Sequence, residues 1–305
     1  MLFRSHSRPM SERSTGRLQV LAAALIFSVG GAGIKACDLT PWQVASFRSG
    51  IAALVVLLLM PEARRGWSWR VVVAGVPYAA TVLLFVLANR LTTSANTIFL
   101  QSTAPLYILL AAPWLLRERN RPLDLAVMGL IGAGLALFFV SVDAPMRTAP
   151  NPVAGNILAV LSGVAWAFTI MSLRWMGRES GGDRGSAAGA VVSGNIMAFF
   201  IGLPLALPVA RFTPMDGAVL AGLGVVQLGL GYVFLTKAAR HVPAFETSVL
   251  LLLEPALNPI WALAINGEIP GPWSLAGGGV ILAATVLKTW SDSVASGRGS
   301  ARPSP

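Results

Sequence analysis

The chain has 305 residues, of which 55% are hydrophobic and only 12% charged, with a mean hydropathy of +0.68. A soluble domain carries about a quarter charged residues, so this composition excludes an ordinary soluble fold. The 23 Lys and Arg against 13 Asp and Glu give a net charge of +10. That excess resembles a nucleic-acid footprint until its placement along the chain is considered.

A basic tail, residues 1–16, precedes ten apolar runs. The runs lie at about 18–36, 41–60, 70–88, 93–116, 123–141, 153–173, 186–209, 215–236, 243–265 and 272–289, each long enough to cross a core of about 30 Å as a helix. They are continuous rather than alternating, which excludes a barrel. The first run has no small-residue cleavage site followed by polar chain and is expected to be retained. Residues 290–305, rich in Ser, Gly and Arg, are expected to be a disordered tail.

Most basic residues fall in the N-terminal tail and alternate connections: Arg64, Arg65 and Arg70, then Arg117, Arg119 and Arg121, then Arg174, Arg178 and Arg184. Lys35, Arg90, Arg147 and Arg211 fall on the other side, and Arg48 lies inside a run. This bias places both termini in the cytoplasm. The charge is a topology signal, and no nucleic-acid partner is expected.

The chain repeats itself. Pro105 returns as Pro255, Glu118 as Glu268, Pro122 as Pro272 and Gly129 as Gly279, while Arg90 matches Arg240 and Thr97 matches Thr247. At a different offset Gly16 matches Gly155, Phe27 matches Trp166 and Lys35 matches Arg174. Five runs per half invert the second half relative to the first. The expected architecture is an all-α integral membrane protein of ten transmembrane helices. Its repeats span 17–141 and 153–289, joined by an external linker at 142–152.

The stretch Leu253-Glu254-Pro255-Ala256-Leu257-Asn258-Pro259 with Asn266-Gly267-Glu268 resembles the ninth helix of EamA-type transporters, of the drug/metabolite transporter superfamily. Thr103-Ala104-Pro105 with Arg117-Glu118-Arg119 is similar to their fourth helix. The resemblance covers about residues 18–288. It implies ten helices in inverted repeats and movement of small organic solutes, often export of amino acids or related metabolites, across a bacterial inner membrane. Two other readings stay open: a passive facilitator of the same fold, and an intramembrane enzyme using Glu254.

The residues themselves point to a midplane site. Pro105 and Pro255 lack an N–H and interrupt matched helices, where they could act as hinges or expose backbone, or simply as packing kinks. Glu254 lies about 11 residues into its run, near the bilayer midplane, where an ionisable group is costly unless it faces a cavity or partner. It is a candidate for binding a substrate amine or carrying a proton. Thr247, Glu254, Asn258 and Trp261 share one helical face. Arg48 is expected either to pair with Glu254, directly or through water, or to snorkel to the outer surface. Trp166, Tyr78 and Gln101 are further candidates for the solute surface, although packing and interhelical hydrogen bonds use the same residue types. Glu118 and Glu268 are expected to brace helix ends. The repeat mate of Glu254 is Ala104, so any site is asymmetric.

The lone Cys37 rules out an intramolecular disulfide, and with only His6 and His241 present no metal site is expected. No P-loop is present, so ATP-driven pumping by this chain alone is not expected. No cofactor is expected. The expected partners are a small-molecule solute, the lipid bilayer and, if Glu254 carries a proton, protons.

Overall fold

The computed structural model describes residues 12–115, 122–140, 144–179, 184–238, 241–242, 247 and 250–300. Among them the regular elements are helical, apart from an isolated bridge between Met146 and Ala149. In chain order these are α1 (Glu12–Ser28), α2 (Gly30–Lys35), α3 (Pro41–Leu59), a 3-10 turn (Pro61–Arg64) and α4 (Trp69–Leu91). Next come α5 (Ser94–Gln101), α6 (Ala104–Leu115), α7 (Pro122–Val140), α8 (Pro152–Glu179) and α9 (Arg184–Ala206). The last group is α10 (Pro214–Ala221), a π-helix (Gly222–Leu230), α11 (Gly231–Ala238), α12 (Leu253–Asn266) and α13 (Pro272–Ser300).

Among the described residues, seven stretches are long and apolar enough to cross a membrane: Ser14–Lys35, Pro41–Leu59, Trp69–Leu91, Pro122–Val140, Pro152–Ser172, Ala187–Ala206 and Pro214–Ala238. The run expected at 93–116 is instead two helices, α5 and α6, separated at Ser102-Thr103. The run expected at 243–265 is described only in part, and its long helix starts at Leu253. Both ends of the chain are more helical than expected. Helix α1 begins at Glu12, inside the expected tail, and α13 continues to Ser300, past the expected end near 289. Apolar content ends where lipid ends, but helical hydrogen bonding does not depend on it. Glu118 and its arginine neighbours, like His6, lie outside the described residues.

The contacts respect an exchange of the two halves. Helix α4 packs on α8 as α1 packs on α11, and α4 meets α9 as α3 meets the π-helix. Helix α5 meets α8 as α12 meets α1, while α3–α9, α5–α12 and α7–α13 contacts join counterpart to counterpart. The sequence echo is therefore matched by an echo in packing.

Local chemistry fixes several helix ends. Thr40 and Thr213 each open a capping box, with Gln43 and Asp216 returning the bond, and Pro41 and Pro214 occupy the first turn. At the far end of α12, Gly267 takes φ +67, a left-handed conformation that suits glycine, and the Glu268 N–H bonds the Ala262 carbonyl. This turn carries Glu268 inward.

The outside of the bundle is apolar. Leu54, Leu58, Val76, Phe200, Ile201 and Leu125 are exposed, a surface suited to lipid rather than water. Trp67, Trp69 and Trp273 are exposed near helix starts, the placement of an interfacial belt, and Trp290 is exposed at the end of the apolar part of α13. Trp114 and Trp175 lie outside the described side chains.

Candidate central cavity

Two breaks in the backbone build the site. Helix α5 ends at Gln101, the Ser102 N–H bonds the Ile98 carbonyl at 2.9 Å, and α6 restarts at Ala104. The later break is a turn at Leu252, 150 residues on, with α12 restarting at Leu253. Pro105 and Pro255 then withhold the donors that the Gln101 and Leu251 carbonyls would receive in a continuous helix. Gln101, Ser102, Ala104 and Pro105 line a cavity of about 240 Å³, and so do Leu251, Leu252, Glu254 and Pro255. The two breaks face each other across one space. Gly163 of α8 lets that helix approach the first break closely. A Cβ there would fall 3.0 Å from the Leu100 carbonyl oxygen and 3.1 Å from that of Gln101.

The remaining wall combines aromatic and apolar residues with a few polar ones. Phe27, Val82, Phe85, Ile98, Trp166 and Tyr232 line it, with Thr81, Gln227 and Thr285. The Gln101 amide donates to Ser162 at 2.8 Å, and Ser162 donates to the Thr81 carbonyl at 3.2 Å. Gln227 sits in the π-helix, a geometry that often marks functional positions.

Arg48 and Glu254 are the charged residues of this wall. Arg48 is 1% exposed on α3, so it does not snorkel to a surface. Its Nη2 donates to the Val82 carbonyl at 3.3 Å, while Nε and Nη1 have no partner. Glu254 occupies the first turn of α12, where the positive end of the helix dipole favours a carboxylate. Among the described residues no hydrogen bond or ion pair engages it. The expected direct Arg48–Glu254 pair is absent: the two share the cavity but do not touch.

Of the other sequence candidates, Gln101, Trp166, Pro105 and Pro255 line the cavity, whereas Tyr78 and Asn258 do not. Tyr78 is buried behind the wall. Its hydroxyl accepts from the Asn195 amide at 3.1 Å and hydrogen-bonds Tyr232, which does face the space. Asn258 is buried and donates to the Ser28 carbonyl at 3.1 Å, and Trp261 donates to the Ser28 hydroxyl at 2.9 Å. That polar face of α12 points inward as expected, but below Glu254 it fastens α12 to α1. Tyr232 and Phe27 were not anticipated as lining residues. The available signal was an aromatic residue five positions after Gln227, a spacing that an α-helical reading separates and a π-turn brings together.

One end of the bundle is held by a buried ion pair. Lys35 and Glu268 form it, and Lys35 Nζ also donates to the carbonyls of Thr92 and Thr148 at 2.7 Å each. Glu268 accepts in turn from the Ser94 N–H at 2.9 Å. Four connections are thereby tied together at that end, and Glu268 braces the end of a helix as expected. The cavity residue Leu235 lies near the opposite end of its membrane-spanning stretch, Pro214–Ala238, and Leu251 lies on the far side of the Leu252 break from Glu268.

A cavity at two matched helix breaks, inside a bundle of paired halves, is a transporter's arrangement. A sequence profile described as the EamA-like transporter family matches residues 14–140 and 153–290. The chain belongs to the EamA-like transporter family. As a member of the drug/metabolite transporter superfamily it is a multi-pass membrane transporter, and exporters stand among its relatives. It is 26% identical over 281 residues to the pseudopaline exporter CntI of Pseudomonas aeruginosa strain UCBPP-PA14, covering 89% of this chain and 95% of the relative. It is also 26% identical over 224 residues to the threonine/homoserine exporter RhtA of Escherichia coli strain K12, covering 70% and 69%. A solved crystal structure shares the fold with a TM-score of 0.61 at 17% identity, over 91% of this chain and 97% of that one.

Proposed function

We propose that this EamA-family protein exports small amphipathic metabolites, amino acids or related compounds, by alternating access. Ten transmembrane helices form two inverted five-helix halves, with both termini in the cytoplasm of a bacterial cell and the protein in its inner membrane. The Lys35–Glu268 end is the outer end, and the cavity serves the cytoplasmic side in this conformation. The observation that supports this best is the meeting of the two repeat-related breaks, at Ser102-Thr103 and Leu252, on one cavity that also holds Arg48 and Glu254. The name of one relative, the threonine/homoserine exporter, supports an amino-acid-like cargo.

An intramembrane enzyme would need a second reacting group in contact with Glu254, and among the described residues none hydrogen-bonds it. Counterflow in proteoliposomes over a panel of amino acids, amines and organic acids tests the proposal. Saturable exchange of at least one solute is expected. No exchange of any member, by protein shown to be folded, would overturn it.

A further inference from the structure

The two charges of the cavity carry an inference about the form of the cargo, which rests on the transport reading above. Arg48 presents an unusual state for a buried side chain. A guanidinium has five N–H donors in a rigid fork, and here a single 3.3 Å bond to the Val82 carbonyl is made while Nε and Nη1 go unanswered. A buried cation without an anionic partner is costly, and among the described residues none is supplied. Neutral phenols stand nearby instead, Tyr232 on the wall and Tyr78 behind it. The unmet donors of Arg48 match the paired oxygens of a carboxylate, the group that an arginine fork holds best.

Glu254 is the complementary case. Its carboxylate lines the same space, has no partner among the described residues and stands at the start of α12. It can accept from an ammonium group, and Trp166 on the same wall offers a ring face to such a cation. The two residues come from opposite halves of the chain, and neither is repeated. Glu254 corresponds to Ala104, and at either repeat offset Arg48 corresponds to an alanine, Ala187 or Ala198. The cavity wall thus carries one unduplicated positive group and one unduplicated negative group, among apolar and aromatic residues.

We propose that the cavity binds a zwitterion lengthwise, its carboxylate on Arg48 and its ammonium on Glu254, with Phe27, Phe85 and Ile98 bounding the side-chain space. Each charge of the cargo meets one that has no ionic partner among the described residues. A monopolar solute would leave the other one exposed, so selectivity follows from the pair rather than from either residue.

The test uses two triads in counterflow with purified full-length protein: L-threonine, 1-aminopropan-2-ol and 3-hydroxybutyrate, and L-leucine with 3-methylbutylamine and 4-methylpentanoate. In at least one triad the zwitterion is expected to exchange about tenfold or more better than its amine and its acid. Arg48→Gln is expected to erase the advantage over the amine, and Glu254→Gln the advantage over the acid. Thermal shift of the unmodified protein with the same six compounds gives a second readout should either variant fail to fold, with a saturable rise expected for the zwitterion alone. Equal exchange or equal shift for all members of a triad that is transported would overturn the zwitterion proposal and leave export standing. So would an Arg48→Gln protein that transports with its zwitterion-to-amine ratio unchanged. No exchange and no shift with any of the six, together with no solute in the broader panel, would overturn both.

Discussion

Lys35 and Glu268 meet at the end of the bundle where four connections converge, each almost wholly removed from solvent and each also bonded to backbone. Removing one partner of such a pair strands the other, at a cost of about 3–5 kcal/mol, whereas replacing both by apolar groups of similar size can be nearly neutral. Lys35→Met is therefore expected to lower thermal stability sharply, and Lys35→Met with Glu268→Leu to recover most of it. Thermal melts in detergent of the two single variants and the double variant check this. A double variant no more stable than the singles would show that the backbone bonds of Lys35, rather than the charge pair, matter there.

The prolines at the breaks give a second prediction. Pro105→Ala restores an N–H to the Gln101 carbonyl and permits α5 and α6 to join. The variant is expected to be as stable as the parent or more so, and to turn over more slowly while still binding solute. A barrier raised by about 1.4 kcal/mol corresponds to tenfold slower turnover. Pro255→Ala at the matched break is expected to behave alike. Exchange rate and solute affinity, measured separately, distinguish this from a static kink, whose loss would alter stability but not the ratio of rate to affinity.

A third prediction concerns Asn258. Its amide bonds the Ser28 carbonyl rather than the cavity, so Asn258→Ala is expected to cost about 1–3 kcal/mol of stability while leaving solute preference unchanged. Trp261→Phe, losing the bond to the Ser28 hydroxyl, is expected to act in the same direction and less strongly. A changed solute preference in Asn258→Ala would return that residue to the cargo site.

These cases show how much of the site was legible in the chain. Matched prolines marked both breaks because proline removes a donor wherever it stands, and the repeat fixed which two mattered. Counting helical rises put Glu254 well inside its run, and it lines the cavity. What periodicity could not resolve was rotation about a helix axis. Asn258 lies four residues from Glu254 and on the same face, yet it meets α1 while Glu254 meets the cavity. Helical spacing says that both point inward and cannot say at which level the neighbouring helix ends and open space begins. The place of Tyr232 depends on the π-helix before it, whose register α-helical spacing does not encode. The absence of a direct Arg48–Glu254 bond likewise lies in three dimensions, since depth along two helices leaves their lateral separation free.

Coupling is the fourth prediction. A carboxylate without a partner in a cavity is placed to exchange a proton as solute arrives and leaves. In proteoliposomes a pH gradient is expected to drive net solute movement by the unmodified protein, and Glu254→Gln is expected to retain exchange without responding to the gradient. Movement indifferent to the gradient in both proteins would identify a facilitator.

If one cavity at the paired breaks opens to each side in turn, thiol access from the two faces reads that exchange out. In a Cys37→Ala background, Ser102→Cys and Leu252→Cys would each be probed in oriented vesicles with a membrane-impermeant thiol reagent added to one face at a time. Modification is predicted from both faces, faster from the one opposite the Lys35–Glu268 end. Once Lys35→Met and Glu268→Leu are added, the rate from the other face is predicted to rise and the first to fall. Modification from one face alone whatever the state of the Lys35–Glu268 pair, or rates from the two faces that its removal leaves unchanged, would contradict alternating access.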